Sequence, residues 1–186
     1  MPEHPAPPAL PAARDPDQAY RIAMVCLGNI CRSPMAQVVL TEQLEQAGLG
    51  DDVEVVSAGT GDWHAGDPMD PRAAAVLADA GYDPTAHRAR QVDPSWFDGH
   101  DLLLAMDASN YADLVAMAPG ADAAGRVRMF RDFDPVVLRA RADGDAPNSV
   151  DTDVPDPWYG GPEGFASVLA TVQRTAAVLV EALAAE

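Results

Sequence analysis

Short apolar runs, separated by helix-start signals, organise this chain. Tyr20 to Leu27 is the first, with Ile22, Met24 and Val25 at its centre. A run without polar alternation suits a strand buried on both faces of a parallel sheet. Ser33-Pro34 follows as a helix start, with proline in the first turn. Met35, Val39, Leu40 and Leu44 then recur at helical spacing, and Gly48 ends the pattern. Val53-Glu54-Val55-Val56 predicts a second strand, ending at Ser57-Ala58-Gly59. Asp70-Pro71 starts another helix and Gly81 closes it. Leu102 to Met106 predicts a third strand, and Ser109 and Asn110 open a helix through Met117. Val127 to Phe130 predicts a shorter fourth strand. Phe165, Val168, Leu169, Val172, Leu179 and Val180 mark one face of a long final helix. Asp132 to Pro157, rich in Asp, Pro and Gly, reads as a long surface loop.

Strands alternating with helices predict an α/β domain, a parallel sheet with helices on both faces. In such folds the binding site lies at the carboxyl ends of the strands. Cys26 lies at that end of the first strand. The 186 residues suit one domain, and 48% hydrophobic content suits one packed core. Residues 1–18 hold six prolines and no basic-then-apolar pattern, so they read as a disordered Pro/Ala-rich tail and not an export signal. Residues 19–186 form the predicted domain. No run approaches the ~18–20 apolar residues of a membrane span.

The formal net charge is −17. Without a Lys/Arg excess to displace counterions, general nucleic-acid binding is excluded, and so is attachment to anionic membranes. Cys26 and Cys31 are the two cysteines. Their spacing is not a zinc pattern, so no metal or cofactor is expected. A reduced, cytoplasmic setting is expected, with the chain acting as a monomer.

The segment Cys26-Leu27-Gly28-Asn29-Ile30-Cys31-Arg32-Ser33 joins the first strand to the first helix. Unpaired N–H groups at a helix start attract an anion. Gly28 and Asn29 are residue types that tolerate positive φ, letting successive amides of Leu27 to Ser33 converge on three phosphoryl oxygens. Arg32 adds a planar fork that binds two oxygens at once. Thiolates are stabilised in such fields, so Cys26 is the candidate nucleophile for in-line attack on phosphorus. Ser33 is a candidate hydrogen-bond donor to that sulfur, and equally a candidate helix N-cap. One hydroxyl proton cannot do both.

These residues resemble the low-molecular-weight protein tyrosine phosphatases. The match rests on Val25 to Ala36 and on Val154-Pro155-Asp156-Pro157-Trp158-Tyr159-Gly160-Gly161. It is reinforced by Ser57 to Thr60, Asp62-Trp63, His87 to Gln91 and the Met106-Asp107-x-Ser109-Asn110 segment. The loop from Arg139 to Val150 is longer than usual for the family. The resemblance implies a single domain built on a four-stranded parallel sheet with helices on both faces. It implies Cys26 as nucleophile, Arg32 as phosphate clamp, and Asp156 as the acid that protonates the leaving phenolate and then activates water. Asn29 would hold the loop through Ser57 and His87. Trp63, His64, Trp158 and Tyr159 would form the substrate pocket, Trp63 and Tyr159 flanking the aromatic ring and His64 tuning which peptide is accepted. Cys31 would trap an oxidised Cys26 as a disulfide. Asp107 would bond Arg32, or cap the helix that follows it.

The implied activity is hydrolysis of tyrosine-phosphorylated proteins through a cysteinyl-phosphate, with inorganic phosphate as product. Two rivals share the fold. Thioredoxin-coupled arsenate reduction needs cysteines beyond Cys26 and Cys31. Protein-arginine phosphatases tend to carry Thr at the position of Ile30 and lack the aromatic pair Trp158-Tyr159. A phosphotyrosine-binding module without catalysis would lack Cys26, Arg32 or Asp156, and all three are present.

Overall fold

The computed structural model describes residues 4–146 and 149–186. The first three residues of the proline-rich leader, and Pro147 and Asn148 of the loop between Arg139 and Val150, lie outside the described residues. Strands β1 (Tyr20–Cys26), β2 (Val53–Gly59), β3 (Leu102–Ala105) and β4 (Val127–Met129) form one parallel sheet in the order β2-β1-β3-β4. The helices are α1 (Arg32–Gln46), α2 (Pro71–Asp79), α3 (Trp96–Gly99), α4 (Ala108–Met117), α5 (Ala121–Ala124), α6 (Pro135–Ala142) and α7 (Pro162–Ala184).

Strand residues alternate in direction, so a strand covered on both sides must be apolar throughout. β1 obeys this rule. Ile22, Met24 and Cys26 belong to a core beneath α1 and α7, with Met35, Leu40, Phe165 and Val172. Ala23 and Val25 belong to a second core with Phe97, Leu103 and Leu114. Burying each large apolar side chain contributes about 1.5–3 kcal/mol. The chain passes from central β1 to β2 on one side and to β3 on the other. The carboxyl end of β1 is therefore a topological switch point, the place where α/β sheets open a crevice.

Three features depart from the sequence reading. The stretch from Asp132 to Pro157 is not one loop, because α6 occupies Pro135–Ala142 and buries Val137 and Leu138. Asp134 caps α6 by accepting from Val136 N at 3.0 Å, the same Asp-Pro device that starts α2. Burial opposes the charge on Asp134, but Arg174 and Arg131 outweigh it and hold the carboxyl below its ordinary range. Residues 4–18 contain no helix or strand, yet they lie in defined contact with the body. Tyr20 donates to Pro11 O at 2.8 Å, Arg126 to Ala12 O at 2.9 Å, and the Arg14 amide to Asp101 at 2.6 Å. Finally, α7 is long and apolar enough, by length and composition, to cross a membrane. In the fold its apolar face is buried in the core through Phe165, Val168, Val172, Ala176 and Leu179.

Candidate active site

The turn after β1 is shaped by one strained residue and one close approach. Asn29 sits at φ +56°, alone among the described non-glycine residues in the left-handed region. Gly28, expected to share that conformation, does not. A Cβ there would lie 3.2 Å from His64 Cδ2, a tight approach that a small shift of that ring would relieve. The end of β2 presses on the loop as well. A Cβ on Gly59 would stand 2.6 Å from Leu27 O, and Thr60 N and Gly61 N donate to Cys26 O and Leu27 O at 2.9 Å each.

Helix α1 begins at Arg32, with Cys31 at the cap position and no side-chain cap. Its first turn holds no acidic residue, so its positive end is left for an external anion. Among the described residues, the amides of Gly28, Ile30, Cys31 and Arg32 donate to no protein acceptor. The Asn29 amide donates to Cys26 Sγ at 3.3 Å, and Ser33 Oγ lies 3.0 Å from the same sulfur. The two expectations for Ser33 are thereby separated: it faces the sulfur and does not cap α1. A thiolate only accepts, so beside Cys26 S⁻ the Ser33 hydroxyl must donate.

The strained Asn29 is fully engaged. Its Nδ2 donates to Ser33 Oγ and to Ser57 Oγ, both at 2.9 Å, and its Oδ1 accepts from Arg90 N at 3.0 Å. The Ser57 hydroxyl in turn donates to Gln37 Oε1 at 2.6 Å. His87 Nε2 lies 2.6 Å from Asn29 O, and because a carbonyl only accepts, that nitrogen carries the hydrogen. His87 thus grips the backbone of Asn29 while Ser57 grips its side chain. Burial pushes the His87 pKa down, against the raising effect of the Asn29 bond.

Arg32 is buried and faces three acceptors. Nη1 donates to Asp107 Oδ2 at 2.6 Å and to Val154 O at 3.1 Å, and Nη2 lies 3.4 Å from Asp156 Oδ2. Burial works against its charge, but Cys26, Asp107 and Asp156 outweigh it and hold the guanidinium above its ordinary value. Asp107 fills both expected roles at once, since its other oxygen caps α4 by accepting from Asn110 N at 2.8 Å. Asp156 Oδ1 accepts from Trp158 N at 3.1 Å and so caps the single 3₁₀ turn Pro157–Tyr159. That turn is tied down upstream, where Val154 N donates to Met106 O at 2.7 Å and Arg131 to Asp153 O at 2.8 Å.

Cys26, Leu27, Gly28, Ile30, Cys31, Arg32, Trp63, His64, Asp156, Trp158 and Tyr159 line one cavity of about 200 Å³. Every residue expected at the nucleophile, the clamp, the acid and the aromatic walls therefore meets in one place. Ser57, His87 and Asp107 stand behind it. Trp63 and Tyr159 are 71% and 90% exposed, and the Trp63 ring lies over Gly61, where a Cβ would clash with it. His64 bridges the rim: its Nδ1 lies 3.0 Å from Asp67 Oδ2 and its ring centroid 5.9 Å from that of Trp158. Neither cysteine is in a disulfide. Burial, and then the nearby Asp70 charge, push the Cys31 thiol up to about 12. Two supports were not read from the sequence. Arg90 N holds Asn29, and Arg72 packs against Trp158. Neither has a local signal, because each meets its partner only through the fold.

A family model described as "Low molecular weight phosphotyrosine protein phosphatase" matches residues 21–186. A low molecular weight protein-tyrosine-phosphatase of Streptomyces coelicolor is 48% identical over 164 residues, covering 88% of this chain and 93% of that one. Low molecular weight protein-tyrosine phosphatase A of Mycobacterium tuberculosis is 47% identical over 152 residues, covering 82% and 84%. Among solved structures, a protein tyrosine phosphatase from Entamoeba histolytica superposes with a TM-score of 0.80 at 30% identity, covering 90% of this chain and 98% of that one.

Proposed function

The chain belongs to the low molecular weight phosphotyrosine protein phosphatases, and from that membership and the site geometry we propose that it hydrolyses phosphotyrosine in proteins through a phosphocysteine on Cys26. One observation carries the reading: Cys26 Sγ accepts from the Asn29 amide and sits 3.0 Å from Ser33 Oγ, in a cleft it shares with Arg32 and Asp156.

In the first step the Cys26 thiolate attacks phosphorus in line. The S–P bond forms and the P–O bond to the tyrosine ring breaks, its electron pair going to the phenolic oxygen. Asp156 enters this step protonated and gives that oxygen its proton, releasing neutral tyrosine. Arg32 and the unpaired loop amides hold the non-bridging oxygens through the transition state. In the second step Asp156, now a carboxylate, takes a proton from water as the water oxygen attacks phosphorus. The S–P bond breaks, its electrons return to sulfur, and the Ser33 hydroxyl stabilises the returning thiolate. Inorganic phosphate leaves. All of these roles are taken by the chain's own side chains and amides.

Trp63, Trp158 and Tyr159 give the cleft apolar walls suited to an aromatic ring, which favours phosphotyrosine over phosphoserine or phosphoarginine. The test offers phosphotyrosine, phosphoserine, phosphoarginine and arsenate to the same enzyme, with Cys26→Ser as control. Fastest turnover of phosphotyrosine, lost in the control, is expected. Faster turnover of phosphoarginine, or arsenate reduction, would overturn the assignment.

A further inference from the structure

Asp70 and Arg72 stand between the loop that holds Cys26 and the turn that holds Asp156. Asp70 N donates to Ile30 O, within the phosphate loop, at 2.9 Å. The Asp70 carboxylate caps α2 by accepting from Arg72 N at 2.8 Å. It also receives the Arg72 fork, Nε on Oδ1 at 3.1 Å and Nη2 on Oδ2 at 3.0 Å. Burial opposes the Asp70 charge, but these Arg72 bonds outweigh it and keep the carboxyl below its ordinary range.

Arg72 still has one nitrogen free, and it reaches the acid turn. Nη1 donates to Trp158 O at 3.3 Å. The guanidinium carbon lies 5.2 Å from the centre of the Trp158 ring and 4.7 Å from that of Phe165, so one planar cation meets both a pocket wall and the first turns of α7. Trp158 is also the residue whose amide bonds to Asp156 Oδ1. A continuous path of bonds therefore runs from Ile30 through Asp70, Arg72 and Trp158 to the Asp156 carboxylate.

We propose that Arg72 is a positioning residue that braces the Asp156 turn against the phosphate loop and so fixes the distance between the acid and the nucleophile. This inference rests on the proposed roles of Cys26 and Asp156. Asp156 is exposed and its turn is one 3₁₀ segment of three residues, so the turn has little packing of its own to hold it. Proton donation requires hydrogen-bond reach, which a displacement near 1 Å destroys. Arg72 touches neither the nucleophile nor, in the proposed mechanism, the phosphoryl group. Its loss should be felt in the protonation of the leaving group and hardly in phosphate binding.

The experiment compares the wild type, Arg72→Met and Arg72→Lys on aryl phosphates of graded leaving-group pKa. Vanadate inhibition of each variant reports an intact loop. Arg72→Met is expected to lower kcat/KM for phosphotyrosine by about 3- to 10-fold, with under about 2-fold loss in kcat/KM on p-nitrophenyl phosphate and an unchanged vanadate constant. Arg72→Lys should behave like Arg72→Met, because an ammonium cannot make the fork, the stack and the carbonyl bond together. If Arg72→Met does not fold, Arg72→Lys carries the same readout. In an Asp156→Ala background the Arg72 substitutions should change kcat/KM by less than about 2-fold, because the group being positioned is gone. Equal slowing of all substrates, persisting without Asp156, would overturn the proposal and leave the Asp156 assignment standing. An Asp156→Ala variant that keeps its wild-type leaving-group dependence would instead sink the acid assignment itself.

Discussion

The floor of the cleft and its rim are built by opposite means. The floor, Cys26 to Ser33, is buried apart from Leu27 and part of Gly28. Its shape depends on a left-handed Asn29 held by Ser33, Ser57, His87 and Arg90. The rim, Trp63 and Asp156 to Tyr159, is mostly exposed and hangs on Pro157 burial, the Val154 bond to Met106 and the Arg72 brace. The difference follows from the tasks. Loop amides stabilise developing charge only if they are aimed before the reaction, so the floor needs redundant bonds. A protein-borne side chain must enter past the rim, so the rim must stay open. If this contrast is right, floor substitutions should damage both chemistry and folding, and rim substitutions chemistry alone.

The largest effect belongs to the floor. Cys26→Ser should lower aryl phosphate hydrolysis by at least about 10⁴-fold while phosphate still binds, read by steady-state kinetics and by calorimetry. Next comes the rim. Asp156→Ala should lower kcat/KM for phosphotyrosine by about 10²- to 10³-fold, and that for substrates with good leaving groups far less. Its unfolding midpoint in urea should barely move.

Asn29 tests the contrast from the other side. Asn29→Ala strains an alanine at positive φ and leaves Ser57 and Arg90 N without their partner, so about 2–3 kcal/mol of stability should be lost. The value of kcat should fall by about 10- to 100-fold with it. Asn29→Gly relieves the backbone strain but not the lost bonds, and should recover part of the stability with little of the rate. A smaller effect is expected at the exposed walls. Trp63→Ala and Tyr159→Ala should raise KM by about 3- to 10-fold for phosphotyrosine peptides and shift stability by no more than about 0.5 kcal/mol.

The smallest effect is a pH slope. His87 is held neutral in the folded protein, its pKa lowered by burial from an ordinary value of 6.5. Below that value the unfolded chain binds more protons, so stability rises with pH in this range. The His87 contribution should be complete above pH 6.5 and be lost as pH falls toward the lower folded value. His100, also lowered by burial, adds a slope of the same sign. His87→Asn should therefore flatten part of the acid limb of a urea-midpoint profile, and an unchanged limb would remove His87 from the floor's supports.

Much of this site was legible in the sequence because its parts are contiguous. Cys26 to Ser33 holds the proposed nucleophile, amides and clamp in eight neighbouring positions, and Asp156 to Tyr159 the proposed acid and walls in four. The parallel sheet was legible because strands buried on both faces leave unbroken apolar runs. What failed was local composition set against tertiary packing. Asp134-Pro135 carried the helix-start signal used correctly at Asp70-Pro71, but acidic and proline-rich surroundings hid Val137 and Leu138, which the core buries. Gly28 sits outside the left-handed region that its residue type suggested, leaving Asn29 alone there in the loop. Arg72 is 86 positions from Trp158, and nothing along the chain marks that pairing. Ser33 needed coordinates as well, because a cap and a sulfur partner are the same residue type in the same place.

The stereochemical course at phosphorus tests the covalent intermediate most directly. An aryl phosphate made chiral with the three oxygen isotopes would be turned over with an acceptor alcohol in place of water, and the configuration of the new phosphate ester read by phosphorus NMR. Two successive in-line displacements, first by Cys26 sulfur and then by the acceptor, predict net retention. Net inversion would mean a single direct displacement, with no phosphocysteine on the path.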